Sequence, residues 1–154
     1  MNIHTLFLLI GFAASTNVQA VESSTQKTFQ LPQWTKSDNE SYRFYVSNVS
    51  TSDISILIHL FDSVGRQYTE SREPGQQILV ASQFRSSPVD GAAILPAGNT
   101  GQITISRGGQ THWGTAKLTW SSDSCLTHAV QASVMYWTAG GSLSWRDINQ
   151  GKPF

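Results

Sequence analysis

From residue 42 onward, apolar residues recur at every second position. Tyr42, Phe44 and Val46 alternate with Arg43, Tyr45 and Ser47. Ile54, Ile56, Ile58 and Leu60 alternate with Ser55, Leu57, His59 and Phe61. A period of two puts one set of side chains on each face of an extended chain, and β-branched residues favour that backbone. Further strands are expected around Gln67–Glu70, Gln77–Ala81 and Gly101–Ser106. Turn formers separate them. Asn48 to Asp53 reads as a hairpin-like connection, and Asp62 to Arg66, Glu73-Pro74-Gly75 and Leu95 to Asn99 as turns. Arg107-Gly108-Gly109-Gln110 reads as a hairpin tip.

The longest alternating runs are Thr111–Trp120 and Ala129–Trp137, joined by a serine-rich loop. An antiparallel pairing with Trp120 opposite His128 is expected. It puts His112, Gly114, Ala116, Leu118 and Trp120 on one face with Val130, Ala132, Val134 and Tyr136. That face is the more apolar and should meet the core. The other face would carry Trp113, Thr115, Lys117 and Thr119 with Gln131, Ser133, Met135 and Trp137. Gly140-Gly141 turns the chain into a last strand, Ser142–Arg146, with Leu143 and Trp145 expected to point inward. The tail ends on Phe154, an apolar residue suited to docking.

No segment of ten or more residues after residue 20 has a helical period. Seven or eight short strands with turns between them imply an all-β fold, an antiparallel two-sheet sandwich. Residues 28–154 are expected to form this single domain, with 21–27 a flexible start. The stretch Tyr42–Arg66 with Leu95–Ser106 carries a strand ending in Val46-Ser47-Asn48, a polar turn, and an apolar strand running into Phe61-Asp62-Ser63-Val64-Gly65. Leu95-Pro96-Ala97-Gly98 then opens another strand. In this it resembles the small exported immunoglobulin-like module. The resemblance covers about half of residues 21–154 and implies a fold, with no functional residue carried over. The Cys…Trp…Cys signature of antibody domains is absent, because Cys125 is the only cysteine.

The first twenty residues differ from the rest. Leu6 to Ala14 is an apolar run, too short to cross a ~30 Å hydrocarbon layer. Val18-Gln19-Ala20 then supplies small side chains at the two positions that signal peptidase reads. Residues 1–20 therefore read as a cleavable signal peptide, cut after Ala20, and the chain as secreted or periplasmic. No later stretch approaches 18 apolar residues, so no membrane span is expected. In an oxidising compartment the lone Cys125 has three readings: a buried apolar residue, a free thiol, or one half of an intermolecular disulfide.

Charge narrows the partners. Ten basic and ten acidic residues balance, with no basic run, which argues against nucleic acid and anionic membrane surfaces. No Gly-x-Ser-x-Gly elbow is present, and the Cys125 and His128 pair sits in no motif of a cysteine enzyme. His59, His112 and His128 lack metal-ligand spacing, and the acidic residues fall singly in turns, so neither metal nor cofactor is expected. Asn39-Glu40-Ser41 and Asn48-Val49-Ser50 match the glycosylation acceptor pattern. The remaining chemistry is aromatic. On the expected outer face, Trp113 and Trp137 would flank Met135, a surface fit to stack on a sugar or anchor a protein. The chain thus reads as an exported, non-enzymatic binding or assembly protein, acting on a protein partner or on itself through its sheet face and edges. A carbohydrate-binding module using exposed tryptophans and a small secreted hydrolase are the alternatives.

Overall fold

The computed structural model describes residues 24–68, 78–82, 84–89, 91–106 and 111–154. The leader assigned to residues 1–20 and the turns at 73–75 and 107–110 lie outside these. Among the described residues there are ten strands: β1 (Thr25–Lys36), β2 (Glu40–Asn48), β3 (Ile54–Asp62), β4 (Gln67–Tyr68), β5 (Ile78–Ser82), β6 (Ala93–Leu95), β7 (Thr100–Ile105), β8 (His112–Ser122), β9 (Val130–Thr138) and β10 (Leu143–Asp147). They form two antiparallel sheets. Sheet one runs β1-β8-β3-β4, with β6 also paired to β3, and sheet two runs β10-β9-β2-β7-β5. The fold is the all-β two-sheet sandwich that the alternation implies.

The alternation decides which residues meet. In sheet one, Ile56 lies opposite Trp120, Ile58 opposite Leu118, and Leu60 opposite Ala116. In sheet two, Phe44 lies between Ile103 and Val134. All of these are buried and belong to one core. Each fully buried Ile, Leu or Phe contributes about 1.5–3 kcal/mol over leaving it in water, so these inner rows are the main hold on the fold. Gly114 marks where β8 and β3 leave no room within sheet one: a Cβ there would sit 1.7 Å from the carbonyl oxygen of Phe61.

Three expected pairings are corrected. β8 and β9 do not pair with each other, because β8 lies in sheet one and β9 in sheet two. Their apolar faces were assigned correctly, but they meet across the core. Likewise β2 and β3 are joined by an arch between sheets, not by a hairpin. Buried Asn48 shapes that arch: its Nδ2 donates to the carbonyls of Ser52 (2.8 Å) and Leu95 (3.0 Å), and its Oδ1 accepts from Ser50 N (3.0 Å) and Oγ (2.7 Å). A glycan on Nδ2 would replace one of its two N–H donors and so break at least one donation, whereas Asn39 is exposed. β7 and β8, expected to share a hairpin, also lie in different sheets.

Both ends of the described segment are tied down. Within the segment expected to be flexible, Thr25, Gln26 and Lys27 already pair with Ser122, Ser121 and Trp120. Pro32 interrupts the alternation of β1, and the structure absorbs it in a bulge between Leu31 and Trp34. At the other end, the Phe154 amide donates to Val130 O at 2.8 Å and the Phe154 ring lies 4.0 Å from that of Phe29. The tail docks, as its apolar end suggested.

Candidate functional site

The last hairpin builds the candidate surface. Gly141 turns it with φ of +85°, a conformation that glycine adopts without strain. The turn sets Leu143 opposite Trp137 and Trp145 opposite Met135. Directly opposed residues share a face, so all four point the same way. β9 in turn sets Met135 opposite Arg43 and Ser133 opposite Tyr45. Tyr45 and Trp145 stack with ring centroids 5.0 Å apart.

That face is the outer one. Leu143 is 61% exposed and Trp145 is 53% exposed, so the expectation that they point inward is overturned. Their neighbours on β10, Ser144 and Arg146, take the inner side, which makes the strand apolar outward and polar inward. The hairpin register enforces this: once Trp137 faces out, Leu143 cannot face in. Arg43, Met135, Trp137, Gly141 and Leu143 surround an outer cleft of about 390 Å³. Beside it, Arg43 Nε is enclosed and has no hydrogen-bond partner among the described residues.

The three candidates, Trp113, Met135 and Trp137, do not form one patch. Met135 and Trp137 share the outer face of sheet two. Trp113 stands on the outer face of sheet one, 58% exposed and opposite Thr35 of β1. The separation follows from the two sheets of β8 and β9. Sequence reasoning missed Arg43, Tyr45, Leu143 and Trp145 as partners of Trp137, although the glycine-pair turn held the signal. Cys125 is free and exposed on the loop between β8 and β9.

A second cleft, of about 500 Å³, opens on the inner side of the same hairpin. Pro32 and Gln33 line it from the β1 bulge, and Tyr42, Val134, Tyr136, Ser144 and Arg146 from sheet two. Tyr136 donates its phenolic hydrogen to Glu40 Oε1, and that bond raises its pKa, with burial and the carboxylate charge adding to it. Burial raises the pKa of Tyr42, opposed by the positive charge of Arg146. Neither cleft is lined by His59, His112 or His128. Among the described residues no three His, Cys, Asp or Glu side chains gather to hold a metal ion, and no helix is long and apolar enough to cross a membrane.

Comparison with protein-family models, with curated proteins and with solved structures finds no match to this chain.

Proposed function

We propose that this chain is an exported, non-enzymatic assembly protein that pairs with a second copy of itself through the edge and outer face of β10. The observation that supports this is the inverted polarity of β10. All five of its residues are exposed, it ends its sheet, and its apolar side faces away from the core. Sheet edges offer unpaired backbone N–H and C=O groups, and proteins that stay monomeric block them with Lys, Pro or a bulge. β10 has no Lys, Pro or bulge, and Arg146 is its one inward-pointing charge. Trp, Tyr, Met and Arg, the residues gathered around it, are also those enriched where proteins meet. A second copy brings the same edge, and a two-fold axis at Trp145 would join two β10 strands antiparallel into one continuous sheet.

The fold supports a module of the immunoglobulin-like kind with one change. In its seven-strand form, strands A, B, E and D share one sheet and C, F and G the other. With β1, β2, β3, β5, β7, β8 and β9 as A to G, the order β2-β7-β5 matches B-E-D and the pair β3-β8 matches C-F. β1 and β9 have exchanged sheets.

Sedimentation of the purified protein over a range of concentrations tests the assembly. The expected result is a concentration-dependent dimer that persists in reductant and is lost in the Leu143→Lys, Trp145→Lys double variant. A monomer throughout would overturn the proposal, and so would a dimer that reductant abolishes, which would be linked through Cys125. The second reading, a carbohydrate-binding module, is favoured by the exposed Trp145 ring stacked beside Tyr45. It would gain support if the wild type stayed monomeric and bound a glycan array, with binding lost in Trp145→Ala.

A further inference from the structure

We infer that the inner cleft beneath β10 is a binding site for a small organic carboxylate. The starting point is a mismatch between position and polarity. Ser144 and Arg146 lie on the inner side of sheet two, in line with Tyr136 and Val134 of β9 and with Tyr42 and Phe44 of β2. Side chains in that position normally close a sandwich core and are apolar. Here they are polar and exposed, so sheet one does not cover them and the seam between the sheets stays open. Across the gap, the bulge at Pro32 and Gln33 breaks the β1–β8 register and supplies the facing wall. Bulges commonly re-aim side chains beside functional sites.

The lining sets the ligand's chemistry. Arg146 is the one fully charged residue lining the cleft, and it forms no ion pair among the described residues. Its guanidinium can give two parallel N–H donors to a carboxylate. The Ser144 hydroxyl, the Gln33 amide and the Tyr42 phenol add neutral donors. Tyr42 is a neutral phenol at neutral pH, and burial only raises its pKa further, so it donates and does not repel an anion. The Tyr136 hydrogen is already committed to Glu40. Pro32, Val134 and the two tyrosine rings give the cleft its apolar part. Its volume of about 500 Å³ falls within the range of small-molecule sites. A compact body carrying one carboxylate uses each of these features. The site faces the opposite way from the outer patch of β10 and does not depend on assembly.

The test is titration of the isotope-labelled protein with sodium benzoate, followed by amide chemical shifts, with neutral benzamide as the control. Benzoate should give saturable shifts that cluster at residues 33–34, 42, 134–136 and 144–146, and benzamide should not. Arg146→Gln should weaken benzoate binding about tenfold or more, since it removes a charge-assisted pair, and Tyr42→Phe should weaken it severalfold. Arg146 is exposed and Tyr42→Phe keeps the buried ring, so both variants should fold, which their spectra report directly. No saturable shifts, equal shifts with benzamide, or full affinity in Arg146→Gln would each overturn the proposal.

Discussion

The sandwich has one free edge on each side of the inner cleft, β1 and β10, and the two are built in opposite ways. β1 runs for twelve residues, and its inward side chains include the buried Leu31 and Trp34. The indole N–H of Trp34 donates to Thr115 O at 3.1 Å, and its ring sits 4.9 Å from that of Tyr68. Lys27 and the Pro32 bulge also make β1 a poor template for another strand. β10 runs for five residues, buries none of them, and turns its aromatic side to solvent. One edge is invested in the fold and guarded against pairing, whereas the other contributes little to the core and is left open. In a small domain, a cluster of exposed apolar side chains that adds little to the core points to something outside.

The contrast can be broken most severely at β1. Trp34→Ala should lower stability by about 3–5 kcal/mol, the usual cost of deleting a large buried aromatic, read as a shift in the urea midpoint. A change near zero would mean that β1 is not anchored as described. Next comes Gly114, the residue opposite Trp34. Gly114→Ala forces a methyl group against the Phe61 carbonyl and should cost about 3 kcal/mol by the same measurement. Trp145→Ala, in contrast, should change the stability of the monomer by under ~1 kcal/mol; a loss as large as that at Trp34 would place β10 in the fold's own core.

The smallest effect is one of pH and touches the strand beside β10. The folded-state pKa of Tyr136 lies above its ordinary value of 10.0 because Glu40 accepts its hydrogen. The stabilising contribution is therefore fully present below pH 10 and fades as the pH rises through the raised pKa. Urea midpoints should fall more between pH 9 and 11 in the wild type than in Tyr136→Phe, and equal falls would remove Tyr136 from the account.

These contrasts also mark what could be read in advance. The period of two was fully legible: Ile54 to Leu60, Ala116 to Trp120 and Val130 to Val134 all put the expected faces inward. Pairing was not. A period says which way a side chain points and nothing about which strand lies beside it, so β8 and β9 were given to each other when both packed across the core. Asn48 shows why such errors arise, since its buried hydrogen bonds, invisible in a turn-forming sequence, bend the chain from one sheet to the other. β1 escaped notice because Pro32 hid its alternation. The candidate site was half legible. Met135 and Trp137 were correctly expected to share an outward face, and the short turn at Gly140-Gly141 should then have forced Leu143 and Trp145 outward with them. Register across a tight hairpin outranks the tendency of apolar residues to face inward.

Hydrogen exchange on the two edges at once is the most direct test of their difference. Amides of residues 143–147 and of residues 25–33 would be followed by mass spectrometry at low and high protein concentration. If β10 is the open, working edge, its amides should gain protection as concentration rises while those of β1 stay unchanged. Protection that grows at β1 instead, or at neither edge, would contradict it.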